Sequence, residues 1–135
     1  MKIYNYTGRD IQIYNREDTI IRRDRLYLKN DLVSPVEIIK TCCDIHNLPA
    51  VYSEVTEMSL GALTLPVQQF IDAQSIEEFC PDFDFRQDLL IAPNIWTQVV
   101  RTRGLIPEYT LIASVYSLVR DNAGRTIGCI GLELK

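Results

Sequence analysis

The chain has 135 residues, 47% of them hydrophobic, and a formal charge of −4 at pH 7. That is material for one ordinary core, so a single domain over residues 1–135 is expected, and the negative balance argues against a long nucleic acid as partner. No apolar run is long enough to cross a bilayer, and the start of the chain (Lys2, Tyr4, Asn5, Tyr6) lacks the apolar segment of a signal peptide, which points to the cytoplasm and away from a membrane partner.

The charge is unevenly spread. Residues 31–94 hold most of the acids, among them Asp31, Glu54, Glu57, Glu77, Glu78, Asp82, Asp84 and Asp88, against only Lys40 and Arg86. Both ends are net basic. The ends of a compact chain often meet, so a small positive patch is expected, and such a patch suits a small anion better than a polymer. Cys42 and Cys43 are adjacent while Cys80 and Cys129 are isolated, without the two-residue spacing of a zinc knuckle. Buried, reduced thiols follow as the expectation.

In chain order, residues 2–6 and 11–14 read as short strands around the turn Thr7-Gly8-Arg9-Asp10, with Ile11 and Ile13 alternating against Gln12 and Tyr14. Arg16-Glu17-Asp18 makes a polar turn and residues 19–22 a third strand. Arg22, Arg23 and Arg25 then form the densest basic cluster. A solvated edge strand, whose positive side chains discourage strand-to-strand aggregation, is the plain reading, and an anion site is the alternative. Residues 26–28 and 36–43 are further strand candidates, and residues 44–66 are mixed and turn-rich. His46 is the only histidine and no motif places a nucleophile beside it, so a polar contact is expected rather than general-base work.

Pro66 with Val67, Phe70 and Ile71 has the spacing of a helix through residue 73, and Ser75 three residues before Glu78 is a capping-box signature for another short one. Asp82 and Asp84 lack the further ligands that a hard cation needs, which leaves a solvated acidic loop. Residues 88–92 are continuously apolar, hence a strand buried on both faces. They lead through Pro93 into a helix over residues 95–103, capped by Asn94 and stopped by Gly104. Ile95 with Val99 and Trp96 with Val100 form its packed stripe, and Gln98 and Arg101 are expected to be more exposed. A helix N-terminus after a strand can receive a phosphate, although this loop has no glycines. Trp96 reads as core, with stacking on a base as its functional alternative.

Residues 109–119 and 126–134 have strand composition on both sides of Asp121-Asn122-Ala123-Gly124, which suits a hairpin with a type I turn and a left-handed glycine. Two registers are open. With Gly124 as a bulge, Asp121 faces Arg125 and the two make a surface ion pair. With all four residues as the loop, Arg120 faces Arg125, an arrangement that needs an anion between them.

Asn5-Tyr6-Thr7 followed by Asp10-Ile11-Gln12-Ile13-Tyr14, the strand Leu90-Ile91-Ala92 before an amphipathic helix, and Val119-Arg120-Asp121 through Gly124-Arg125 to Ile127-Gly128-Cys129 occur together in a group of small phage and prophage proteins. On these residues the chain resembles the first family of Thoeris anti-defence proteins, the sponges. The C-terminal string is the specific part, and residues from about Val51 to Arg86 depart from the pattern. The resemblance implies a non-enzymatic protein without a cofactor. Such a protein binds a cyclic ADP-ribose-type immune signal made by a bacterial TIR-domain enzyme, and so starves the downstream effector in the host cytoplasm. It also implies a homo-oligomer, and some members hold cyclic oligonucleotides at separate sites. Arg120 and Arg125 match the family's terminal arginines.

Together these readings predict an α+β domain. An antiparallel sheet built from the N-terminal strands and a C-terminal β-hairpin packs against the helix at 95–103 and a second near 67–79. The candidate ligand-binding residues are Arg120, Arg125, Trp96, Asn94, Arg101 and Arg103, with no catalytic and no metal-binding residue. Sequestration needs arginine and backbone donors for a diphosphate and a slot for the base, and the chain offers those parts. A protein–protein interaction module, or an enzyme that degrades the messenger, are the rival readings.

Overall fold

The computed structural model describes residues 1–52, 55–68 and 70–135. Short strands fill the first third of the chain: β1 (Ile3–Asn5), β2 (Ile11–Ile13), β3 (Thr19–Arg22), β4 (Arg25–Leu28) and β5 (Glu37–Ile39). The middle carries β6 (Ala50–Tyr52), β7 (Thr56–Leu60), β8 (Leu63–Val67), β9 (Phe70–Ala73) and the one-turn helix α1 (Ile76–Phe79). Then come β10 (Leu89–Ile91), the helix α2 (Asn94–Thr102), and the two long strands β11 (Leu111–Arg120) and β12 (Thr126–Leu134). Glu54, named above, and residue 69 of the predicted 66–73 helix lie outside the described residues.

The chain is α+β, with the C-terminal hairpin antiparallel as the sequence predicts. Around that hairpin the sheet is mixed. Its strands run in the order β1-β10-β11-β12-β2-β5; β10 is parallel to both β1 and β11, and β2 is parallel to β12. β4, with β3 on its outer side, runs parallel to the far end of β11. Parallel neighbours need a crossover long enough to return to the same end, and α2 is that crossover between β10 and β11. The two ends of the strand order meet. Asn5 of β1 forms a parallel bridge with Thr41, just past β5, and the Cys42 N–H donates to the Asn5 carbonyl at 2.7 Å. The sheet therefore curls into a ring whose inside is filled by Ile11, Leu89, Ile91, Ala113 and Cys129. Leu90 and Ile112 point outward, under α1 and α2, where they meet Ile76, Phe83, Trp96 and Val100. β10 is thus buried on both faces, as its unbroken apolar run requires.

Further expectations are corrected. The predicted helix through residues 66–73 is strand: Pro66 stands opposite Glu57 in the β7–β8 ribbon, and β9 pairs with β6. Helical spacing over so few residues yields to the strand preference of Val67, Phe70 and Ile71 once a partner strand is supplied from elsewhere. Helix α1 starts where the capping box puts it, but the Ser75 side chain makes no capping bond. Asn94 does not cap α2; Pro93 occupies that position, and its carbonyl accepts from the Thr97 N–H at 3.0 Å. The buried stripe of α2 is Trp96, Thr97 and Val100, with Ile95 38% exposed, because the indole takes the centre of the interface and sets the helix rotation. The other end follows the sequence. Gly104 (φ 63) ends α2, and the Leu105 N–H reaches back to the Val100 carbonyl at 3.0 Å. Cys80 and Cys129 are buried free thiols, but Cys42 is exposed beside the seam of the ring.

The basic cluster lies on the β3–β4 hairpin, and β3 is an edge strand. Arg22 pairs with Arg25 across a two-residue turn in which Arg23 (φ 50) and Asp24 (φ 64) are both left-handed. That is a type I′ turn built without its favoured Asn-Gly. The double substitution Arg23→Asn with Asp24→Gly is expected to stabilise the protein by about 1 kcal/mol and raise the melting temperature by roughly 4 °C, read by circular dichroism. No described helix is long and apolar enough to cross a membrane.

Candidate functional site: a cleft at the hairpin tip

The tip of the β11–β12 hairpin takes the first of the two registers. The Gly124 N–H donates to the Asp121 carbonyl at 3.0 Å and the Asp121 N–H to the Arg125 carbonyl at 2.9 Å, with Gly124 left-handed at φ 85. Asp121 faces Arg125, and Arg120 stands opposite Thr126. The Asp121 carboxylate organises the turn, accepting from the backbone N–H of Ala123 and of Arg125 and from Arg125 Nε at 3.1 Å. The Arg125 N–H first, and then its guanidinium, hold this carboxyl below the usual carboxylate range against the opposing effect of burial.

The two arginines part company here. Arg120 donates Nη1 to the Gly124 carbonyl at 3.0 Å and so braces the turn. Arg125 uses only Nε on Asp121; its side chain is 79% exposed, and its terminal nitrogens make no hydrogen bond among the described residues.

The second wall comes from the N-terminus. Asn5, fully buried at the end of β1, accepts from the Thr7 N–H and hydroxyl and donates Nδ2 to the carbonyls of Arg9 (2.8 Å) and Ile39 (3.1 Å). These bonds fold residues 7–10 into a tight loop, and the Arg9 side chain projects from it without an ion pair among the described residues. β2 then runs beside β12 so closely that a Cβ on Gly128 would run into the Gln12 carbonyl and the Tyr14 ring. Only glycine permits this approach.

Between the walls lies a cavity of about 540 Å³ in which Arg9 and Arg125 share a lining with Gln12, Tyr14 and Thr126. Its carboxylates are already engaged. Asp10 accepts from the Thr41 N–H and from Lys40, which keep it below the usual carboxylate range, and Asp31 accepts from the N–H and side-chain amide of Asn122. Residues from both ends of the chain thus meet at one cleft, whose lining holds Arg9 and Arg125 beside Asp10, Asp31 and Asp121. Arg9 was not among the sequence candidates, and the Thr7-Gly8-Arg9-Asp10 turn was the signal that could have found it.

The candidates on α2 lie elsewhere. Asn94 and Arg101 line a separate cavity of about 370 Å³ with Lys135, at the far end of the hairpin from Arg125 and separated from it by roughly 30 Å of strand. Trp96 is 0% exposed and donates Nε1 to the Gln74 carbonyl at 2.8 Å, so it cannot stack on a ligand. The Arg101 guanidinium donates Nη1 to the Pro107 carbonyl and Nη2 to the Thr110 carbonyl and holds the 105–110 loop, while its buried Nε has no partner among the described residues. Arg103 pairs with Asp72 at the surface. Of the six candidates, Arg125 alone lines the cleft at the hairpin tip. His46 is exposed beside Cys42 and Cys43 in a third cavity, and no group of His, Cys, Asp and Glu among the described residues is placed to hold a metal ion.

Compared with protein-family models, curated proteins and solved structures, the chain matches none.

Proposed function

We propose that this chain captures a small phosphate-bearing molecule of cyclic ADP-ribose type in the cleft between its hairpin tip and the 7–10 loop, and releases it chemically unchanged, as the resemblance to the Thoeris sponges implies. The observation that carries the reading is that Arg125 and Arg9, from opposite ends of the sequence, line one cavity, Arg125 with its terminal nitrogens free of hydrogen bonds and Arg9 without an ion pair among the described residues, although Arg125 Nε is held by Asp121. A phosphate accepts charge-assisted bonds from such a pair, and a volume of about 540 Å³ suits a small-molecule ligand. The carboxylates that share the lining are each engaged within the chain: Asp10 by Thr41 and Lys40, Asp31 by Asn122, and Asp121 by Ala123 and Arg125. The homo-oligomer and the host-cytoplasmic setting that the resemblance implies belong to the same proposal.

Incubation of the protein in excess with cyclic ADP-ribose, followed by filtration, heat denaturation and chromatography, tests it. The free nucleotide is expected to disappear and to return intact on heating. Recovery of a product instead would make the protein an enzyme, and failure to deplete the nucleotide would leave an interaction module. Arg125→Ala is expected to weaken binding by about tenfold or more, the loss of one charge-assisted contact.

A further inference from the structure

At the β11–β12 turn Arg120 faces Thr126, and the pair of arginines set directly opposite one another is found at a different turn. Across the β3–β4 hairpin Arg22 stands opposite Arg25, beside the two-residue turn, and the same face continues with Ile20 opposite Tyr27. Facing side chains on a ladder lie about 5 Å apart at Cβ, and like charges so placed repel each other. No carboxylate of the chain relieves them. Neither arginine, nor Arg23 in the turn, makes an ion pair or a side-chain hydrogen bond among the described residues. The acids nearest in sequence are Asp24, in the turn and itself without an ion pair, and Asp18, roughly 13 Å from Arg22 along the strand. Arg22 is held in place all the same, with its guanidinium carbon over the Tyr27 ring, 5.7 Å from the centroid.

The setting of the pair selects an extended partner over a small one. Residues 21–25 are all exposed, and the three arginines line none of the cavities at the hairpin tip, along α2 or beside His46, so a small ligand would find no walls. A strand would find a ladder. β3 pairs only with β4, which leaves its other edge open, and Ile21 next to Arg22 is 71% exposed. Positive side chains on such an edge repel strands that cannot answer their charge, a second β3 among them, and admit an acidic one. We propose that the β3 edge is a docking strand for an extended acidic segment of another protein, whose backbone pairs with β3 and whose carboxylates bridge Arg22 and Arg25. A guanidinium fork matches a carboxylate two bonds at a time. Nucleic acid suits the surface less. Three arginines on a chain of net charge −4 give a polyphosphate only a short track, and Tyr27, the one ring in the hairpin, is half-buried with Arg22 over it and offers a base no open platform. The proposal is independent of any ligand in the cleft at the β11–β12 tip.

Fluorescence anisotropy of a labelled, end-capped peptide of four Glu-Val repeats, titrated with the full chain, tests it. The peptide is expected to bind, to bind less well as salt is added, and to lose about tenfold or more in affinity when Arg22→Ala and Arg25→Ala are combined. Both positions are exposed and their charges repel, so the melting temperature of the double variant should not fall. Hydrogen exchange at residues 19–22 is expected to slow when the peptide is bound, the mark of a new ladder on that edge. No binding, an affinity that the double variant leaves unchanged, or binding without slowed exchange at 19–22 would overturn the docking strand. Tighter binding of single-stranded DNA or of phosphatidylserine vesicles with the same dependence on the arginines would overturn it in favour of a phosphate-bearing partner. Self-association in sedimentation that the double variant abolishes would overturn it in favour of a second copy of the chain.

Discussion

Trp96→Ala is expected to lower the free energy of unfolding by about 3–5 kcal/mol, the range for removing a large buried aromatic side chain. The indole is fully buried beneath α2, edge-on to the Phe79 ring at 5.6 Å, and packed with Ile76, Leu90, Val100 and Ile112. Its deletion empties the space between the helix and the outer face of β10, and it leaves the Gln74 carbonyl without its donor. Against a total stability typically of about 5–15 kcal/mol, the loss is large enough to bring urea denaturation, followed by circular dichroism, to a much lower midpoint. Trp96→Phe separates packing from recognition. It keeps most of the ring, removes the N–H and should cost about 1–2 kcal/mol. Because Trp96 lies on the far side of the molecule from Arg125, the affinity of Trp96→Phe for cyclic ADP-ribose is expected to match the parent. A loss of affinity without loss of folded protein would return Trp96 to the ligand.

What could be read from the sequence was what short-range chemistry decides. The unbroken apolar run at residues 88–92, the glycine that ends α2 and the Asp121–Gly124 turn each carry their conformation in a few adjacent residues, and each is found where the pattern puts it. The stretch at residues 66–73 was misread because its hydrophobic spacing is equally compatible with one turn of helix, and the decision lies with strands distant in the chain. The same division runs through the site. Arg125 was legible because it sits in the turn motif itself. Arg9 was not, since it enters only when β2 is laid parallel to β12, a pairing made between Ile13 and Cys129. Arg101 looked like a free cation on a helix face until the 105–110 loop folded back to present its carbonyls.

Asn5→Ala is expected to cost about 3 kcal/mol and to impair binding as well, because one buried amide links the ring closure to the loop that carries Arg9. An asparagine side chain can make four hydrogen bonds, and Asn5 makes them all: two as acceptor, from the N–H and hydroxyl of Thr7, and two as donor, to the carbonyls of Arg9 and Ile39. Ile39 belongs to β5, at one end of the strand order, and Asn5 to β1, at the other, so the same side chain that shapes residues 7–9 also helps to hold the seam of the sheet. Removing it leaves the Thr7 N–H and the Ile39 carbonyl without this partner and the Arg9 carbonyl with only the Thr7 hydroxyl, in a partly buried region, each loss costing about 1 kcal/mol. Asn5→Asp has the same shape but no donors. Near neutral pH it would set a carboxylate against two carbonyl oxygens, so it is expected to be no better tolerated than alanine. Denaturation by urea measures the stability loss. Titration with cyclic ADP-ribose well below the lowered melting temperature measures the rest: Asn5→Ala should weaken binding to about the extent of Arg9→Ala, and adding Arg9→Ala to it should bring little further loss, since both act on the same guanidinium. Full affinity in folded Asn5→Ala would mean that Arg9 finds its place without this amide, the 7–10 loop then being held by the bonds of Asp10 to Thr41 and Lys40 and by the close packing of Gly8 on Ile45.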